Sequence, residues 1–170
     1  MNEPRISMIA ALDKNRGIGK DNKIPWRIKQ DLIRLRKMIE GHVVILGRKT
    51  FDSIVYYYNR SGKEMPAKLY VVVTRDKSYI PARPNATVAH SIEEAVAIAK
   101  RGENQEIFVL GGQKIFEQMF TMVNRLYLTV VQGEYDADTF FPDYSEFKKV
   151  IKRENGEEDG LDFEFLDLEK

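Results

Sequence analysis

The 170-residue chain has no cysteine, which excludes disulfides, thiolate metal ligands and a cysteine nucleophile together. Its only two histidines, His42 and His90, lie too far apart for a short ligand motif, so no metal centre is expected. Long apolar runs are missing as well: stretches such as Val43–Leu46 are far too short to span a membrane. Repeats, low-complexity tracts and linkers rich in Gly and Ser are absent, and the length suits one domain with a sizeable core. The opening Met-Asn-Glu-Pro-Arg carries an acid and a proline where a signal peptide would be apolar, so the cytoplasm is the expected compartment.

Hydrophobic residues at 43% and charged residues at 31% are globular proportions. The net charge is only +1, yet residues 1–85 hold 18 Lys+Arg and 8 Asp+Glu, while residues 86–170 hold 9 and 18. Such a split can build a basic face for a polyanion, either nucleic acid or a phosphorylated small molecule. It can equally reflect two halves that attract each other.

Ile6–Leu12 is short, apolar and β-branched at its start, as a buried strand would be. Asp13–Arg27 has Gly17, Gly19, Pro25 and no regular period, which predicts a long loop. Ile28, Leu32, Leu35 and Ile39 then recur at the spacing of one helical face, predicting a helix over Lys29–Glu40 that Gly41 stops. His42–Leu46, Leu69–Thr74 and Ile107–Leu110 read as further strands, and Gly47-Arg48-Lys49-Thr50 opens a short helical stretch to about Ile54. Ser91-Ile92-Glu93-Glu94 fits a capping box that opens a helix through Lys100. Ile115, Phe116, Met119 and Phe120 make the apolar stripe of another short helix. This alternation predicts an α/β fold, a single-domain twisted mixed sheet with helices on both faces. The sheet should be mostly parallel with an antiparallel C-terminal edge, because Arg125–Gly133, Lys148–Arg153 and Leu161–Leu168 have no helices between them. Asn155-Gly156 and Asp159-Gly160 mark the turn between the last two.

Two strand-to-helix junctions carry glycine, where an open α/β sheet presents backbone N–H groups to phosphate. Gly47-Arg48-Lys49-Thr50 adds two cations and a hydroxyl but is not a P-loop, and Gly111-Gly112 lacks the full dinucleotide fingerprint. Thr74-Arg75 brings another hydroxyl and cation to the same edge. Either glycine alone reads as an ordinary tight turn. Asp31 lies in the first turn of the first helix, beside its apolar face. There it either complements the helix dipole in solvent or sits in an apolar cleft and accepts two parallel hydrogen bonds from an amino-pyrimidine edge. Trp26, the only tryptophan, follows Pro25 and is either a packing anchor or a water-holding indole at a pocket mouth.

Taken in order, Ile9-Ala10-Ala11-Leu12, Gly17-Ile18-Gly19, Asn22, Ile24-Pro25-Trp26, Asp31-Leu32, Gly47-Arg48-Lys49-Thr50-Phe51, Thr74-Arg75, Leu110-Gly111-Gly112, Leu126-Tyr127-Leu128-Thr129 and Asp138-Thr139-Phe140-Phe141-Pro142 resemble bacterial dihydrofolate reductase over nearly the whole chain. The resemblance implies NADPH-dependent reduction of dihydrofolate in a central cleft, a role in one-carbon metabolism, susceptibility to antifolates and a monomer. Asp31 matches the ionisable pocket residue, Thr129 its supporting hydroxyl, and Trp26 a partner through water. Ile9, Ala11, Leu32, Leu35, Ile54 and Leu110 match apolar positions of the pocket. Ala11, Ile18 and Gly19 match positions near the nicotinamide. Gly47, Arg48, Lys49 and Thr50 match cofactor-phosphate ligands, and Thr74 and Arg75 the surroundings of the adenosine 2′-phosphate. Leu110, Gly111, Gly112, Gln113, Lys114, Ile115 and Phe116 match the pyrophosphate turn and its helix. Asp13–Arg27 matches a mobile lid, which Asp138 gates from across the site.

The departures are local. Lys68 stands where the family carries an arginine for the substrate's α-carboxylate, keeping the charge without the fork. Val55–Glu64 is longer than usual, so Arg60 or Lys63 could serve instead. Leu35 replaces a common aromatic and Phe116 a common tyrosine. Two rival readings are a pteridine or pyrimidine reductase of the same superfamily, such as that of riboflavin synthesis, and a nucleic-acid or nucleotide binder using the basic half. Asp31 after Ile-Pro-Trp speaks for the folate branch. The cations sit at phosphate-type junctions and are not interleaved with exposed aromatics, which speaks against a single-strand binder.

Overall fold

The computed structural model describes residues 3–21 and 23–170; Asn22, quoted above, lies outside the described residues, as do Met1 and Asn2 of the N-terminal motif. Strand β1 (Arg5–Asp13) is buried or half-buried from Ile6 onward. Met8 and Leu12 enter one buried cluster while Ile9 faces the other, so this strand is covered on both sides. After β2 (Gly17–Gly19) come helix α1 (Lys29–Ile39), strand β3 (Val43–Gly47), helix α2 (Arg48–Ser61), and strands β4 (Leu69–Val73) and β5 (Ala86–Ala89). Helix α3 (Ile92–Gly102), strand β6 (Glu106–Val109) and helix α4 (Gln113–Met119) complete the alternating part. Strands β7 (Arg125–Val131), β8 (Thr139–Phe140), β9 (Lys149–Glu158) and β10 (Leu161–Glu169) follow.

Eight strands form one sheet in the order β5-β4-β3-β6-β1-β7-β10-β9. Pairing is parallel from β5 to β7 and antiparallel for β7, β10 and β9, as the helix-free C-terminal third requires. Ile39 of α1 and Phe51 of α2 pack on one face with Val44, Leu46 and Tyr70. Ala95 and Ala99 of α3 and Phe116 and Met119 of α4 pack on the other with Val43, Ile45 and Val71. From β3 the chain moves outward through α2 to β4, and from β6 it moves the opposite way through α4 to β7. The switch point therefore lies where the carboxyl ends of β3 and β6 adjoin.

Several local expectations need correction. Helix α2 does not stop at Ile54 but runs to Ser61, because Phe51, Ile54, Val55 and Tyr58 continue one face. Gly62 then caps it at φ 72° with its N–H on the Tyr58 carbonyl. The predicted long loop holds β2, which pairs with β8 in a separate two-stranded sheet. Strand β5 was not expected; it is a short parallel edge strand. Asn155-Gly156 is no turn: both pair within β9, and a side chain at 156 would run into the Phe163 ring at 2.4 Å. The hairpin turns at Asp159-Gly160, both at positive φ.

Candidate active site

The site is built at the switch point. At the end of β3, Gly47 precedes α2, and its N–H donates to the Gly111 carbonyl at 2.8 Å, tying the two glycine junctions together. Gly111 has φ 110° and leads into α4 through a cis peptide bond to Gly112. A Cβ at Gly111 would sit 2.9 Å from the Phe116 ring, and one at Gly47 would sit 3.3 Å from Ile115, so both positions keep the backbone close to α4. Arg48 and Lys49 are exposed on the first turn of α2 with Thr50 beside them. Thr74 and Arg75 leave β4 on the same edge.

Next to them stands a residue the sequence reading missed. His90 Nδ1 donates to the Thr74 carbonyl at 2.9 Å, which fixes the tautomer and ties the imidazole to the edge that carries Arg75. Its neighbourhood with Thr74 follows from the β4–β5 pairing, which was not foreseen. Among the described residues, Arg48, Lys49 and Arg75 form no ion pair. By contrast Arg5, Lys14, Lys20 and Arg34 pair with Glu106, Glu134, Asp136 and Asp167 of the acidic half. The reading of two mutually attracting halves thus holds for those four cations, while Arg48, Lys49 and Arg75 are not used in this way.

The carboxylate lies on the face shared by α1 and α2. Thr129 on β7, 2% exposed, donates its hydroxyl to Asp31 Oδ1 at 2.5 Å, and no other hydrogen bond from the described residues reaches that carboxylate. Burial raises the Asp31 carboxyl above the usual carboxylate range, against the opposing pull of the Thr129 hydroxyl and the Arg34 cation. The parallel register sets Ala11 directly beside Thr129. Ile9, Leu35, Ile54 and Leu110 pack on the same buried cluster, while Leu32 is half-buried one residue beyond Asp31. Trp26 packs edge-on against Tyr135 at 5.1 Å, within the small cluster of Ile28, Val131 and Phe163.

Lys68 is not brought to this cleft. Its Nζ donates to the Gly102 carbonyl at 2.8 Å, at the end of α3 and so toward the opposite helical layer. Arg60 bonds the Tyr56 hydroxyl on the outside of α2, and Lys63 is exposed beyond its end. The cation that joins the walls is Arg36 of α1: it donates to the Glu64 carbonyl at 2.7 Å and lies 5.5 Å over the Tyr58 ring of α2.

The segment that follows β1 is held by the rest of the fold. Asp13 Oδ1 accepts from the N–H groups of Asn15 and Gly17 at 2.8 Å each, which fixes the start of the loop. Gly19 and Thr139 pair, and a side chain at Gly19 would meet the Thr139 hydroxyl at 2.7 Å. Asp138 accepts from the Asp21 N–H at 2.9 Å, while its own N–H donates to the Gly19 carbonyl at 2.9 Å. Ile18 lies half-buried between these anchors. Gln113, at the start of α4, accepts from the Phe140 N–H at 2.6 Å, and Lys114 is exposed beside it. A surface cavity of about 1010 Å³ lies elsewhere, between Arg5, His42, Lys100 and Glu106 at the amino-terminal ends of β1 and β6.

Fold and site together define an open α/β protein with a switch point between β3 and β6, cations on one side of it and a half-buried carboxylate on the other. The model of the dihydrofolate reductase family matches residues 5–170, and the chain belongs to that family. It is 37% identical to the dihydrofolate reductase of Bacillus subtilis (strain 168), across 97% of this chain and 94% of that protein. With the Staphylococcus haemolyticus dihydrofolate reductase the identity is 38%, across 86% and 82%. A solved dihydrofolate reductase from Enterococcus faecalis, complexed with NADP(H) and RAB-propyl, shares the fold at a TM-score of 0.82 with 23% identity, covering 99% of this chain and 97% of that one. Among the described residues no helix is long and apolar enough to cross a membrane, and no group of His, Asp and Glu is suited to a metal.

Proposed function

We propose that the protein is an NADPH-dependent dihydrofolate reductase that acts as a single-domain monomer and converts 7,8-dihydrofolate to tetrahydrofolate. The observation that carries this is the Asp31–Thr129 pair at the base of an apolar cleft that adjoins the tied glycine junctions. A hydroxyl that occupies Oδ1 leaves Oδ2 to accept from the amino-pyrimidine edge of a pterin. The raised affinity of Asp31 for a proton suits a ring that must itself become protonated. Asp31 orients and polarises the ring, water delivers the proton to N5, and Ile9, Ala11, Leu32, Leu35, Ile54 and Leu110 exclude bulk solvent. Trp26 holds the delivering water.

The residues at the other side of the cleft fit NADPH. Gly47, Thr50 and Gly111–Phe116 receive the pyrophosphate, and Arg48, Thr74 and Arg75 the 2′-phosphate. The cations Arg48, Lys49 and Arg75, none of them in an ion pair among the described residues, explain a preference for NADPH over NADH. When bound, the cofactor supplies the hydride for C6 of the substrate. Lid residues Ile18 and Gly19 cover that contact, and Asp138 sets how readily they open. Because Lys68 is engaged by Gly102, the α-carboxylate of the substrate falls to Arg36, whose planar fork joins the cleft walls. This reading carries a cytoplasmic setting with it, where the reduced cofactor pool is found.

The test is NADPH oxidation that requires dihydrofolate, followed by absorbance, with Asp31→Asn and Arg36→Ala alongside. Asp31→Asn should keep NADPH binding and lose most turnover near neutral pH. Arg36→Ala should raise KM for dihydrofolate at least tenfold with kcat retained, whereas Lys68→Ala should leave KM unchanged. NADPH binding without turnover would instead favour another pterin or pyrimidine substrate.

A further inference from the structure

Beside the Asp31–Thr129 pair, a second ionic arrangement links α1 to β7 and β10. Arg34, one helical turn after Asp31, is paired with Asp167 of β10. Its guanidinium lies 4.5 Å over the Phe165 ring, and Nη1 donates to the Leu128 carbonyl at 3.4 Å. Leu128 is the residue before Thr129, and the antiparallel register sets Thr129 opposite Phe165 and Tyr127 opposite Asp167. A closed ring therefore runs from the Asp31 carboxylate to the Thr129 hydroxyl, along β7 to Leu128, across to the Arg34 guanidinium, and back down α1 to Asp31. A stacked and paired guanidinium has little freedom, so its charge is fixed in place, unlike a surface lysine.

We propose that the Arg34–Asp167 pair is a positioning device for the reductase reaction, a fixed cation and its counter-charge that hold Asp31 and Thr129 in register and set how much of the Asp31 carboxylate is ionised. The proposal rests on the reading of Asp31 as the pterin-binding carboxylate. Its logic is electrostatic: Arg34 favours the charged carboxylate, while Asp167 offsets part of that field and draws the guanidinium toward β10. Removing the cation and removing its partner must then act in opposite directions on Asp31. The other charged or titratable groups around the pair are Lys37 on α1, His42, Glu106 on β6, Tyr127 on β7, and Lys152 and Glu154 on β9, which line one groove beside α1. At the start of that helix Glu158 accepts from the N–H groups of Lys29 and Gln30. All of these stay in place in the variants below, so their contributions cancel in the comparison.

The experiment follows the Asp31 carboxyl by ¹³C NMR during a pH titration of the ligand-free protein, with the resonance assigned by its loss in Asp31→Asn. Arg34→Met should move the midpoint upward by about one pH unit, and Asp167→Asn should move it downward. The double variant should follow Arg34→Met, and Arg34→Lys should restore most of the parent value. The fall of turnover with pH should shift in the same sense in each variant. A packing role alone would move the variants together or not at all, so shared direction, or no shift in a folded Arg34→Met protein, overturns the proposal. Should Arg34→Met fail to fold, Asp167→Asn against Arg34→Lys decides: a downward shift in the first alone supports the device, and its absence refutes it. The titration needs no turnover, so it stands apart from the reductase assay, whose failure in the parent protein would instead remove the reading of the site.

Discussion

Gly111→Ala probes the junction on which the cofactor side of the site depends. The residue has φ 110°, outside the conformations open to an L side chain, and holding alanine there costs about 1–3 kcal/mol. The new methyl would also stand 2.9 and 3.0 Å from two atoms of the Phe116 ring. That ring has nowhere to go: it is 3% exposed and packs edge-on at 4.9 Å against Phe141, which is itself fully buried. Overpacking of this kind adds about 1–3 kcal/mol. The substitution should therefore destabilise the protein by about 2–6 kcal/mol in urea unfolding, a large part of an ordinary domain's stability. The two contributions separate in a double-mutant cycle. Phe116→Leu alone should cost about 1–2 kcal/mol. Combined with Gly111→Ala it should relieve the steric part, so that the pair costs about 1–2 kcal/mol less than the sum. Additivity within about 0.5 kcal/mol would show that the methyl never meets the ring and refute the reasoning. NADPH affinity should fall as well, because the Gly111 carbonyl that receives the Gly47 N–H would be displaced.

Other outcomes follow from the same structure. A raised Asp31 pKa means the folded state holds that proton more tightly than the unfolded chain, so this contribution to stability is present below the unfolded value and is lost as pH rises through the folded one. Asp31→Asn should consequently gain stability relative to the parent as pH increases across that window, even as it loses activity; paired urea midpoints at acidic and neutral pH check this. Asp138→Ala frees the Asp21 N–H and should lower turnover more than it lowers NADPH affinity, read by stopped-flow against equilibrium fluorescence. Ser91 caps α3 by accepting from the Glu94 N–H at 3.1 Å, and Ser91→Ala should cost about 1 kcal/mol in thermal or urea unfolding with activity unchanged.

The elements most legible in the sequence are those with strong periods: the apolar strands β1, β3 and β7 and the helix opened by Ser91. Helix α2 carried its own evidence, since Phe51, Ile54, Val55 and Tyr58 keep a helical spacing, but a run of tyrosines obscured it. The Asn155-Gly156 pair misleads for a physical reason: the glycine makes room for the Phe163 ring across the ladder, a demand that no local pattern displays. At the site, single residues such as Asp31 and Gly111 stood out, while their partnerships did not. Thr129 meets Asp31 across 98 residues, and its identification rested on the family resemblance. The contacts of His90 and Arg36 were not legible because they arise from strand β5 and from the extension of α2. For Lys68 the sequence shows a charge at an aligned position but not that its ammonium reaches the Gly102 carbonyl at the end of α3.

The order of strands in space also constrains how the chain is made. Strand β6 lies between β3 and β1, and β1 is flanked on its other side by β7. Strand β1, Arg5–Asp13, thus has neither neighbour until Glu106–Val109 and Arg125–Val131 have been synthesised. No amino-terminal fragment ending before β6 can close the sheet, so the nascent chain exposes two apolar strand edges through most of translation. Pairings of such large sequence separation give the fold a high contact order, which slows folding and prolongs exposure to aggregation.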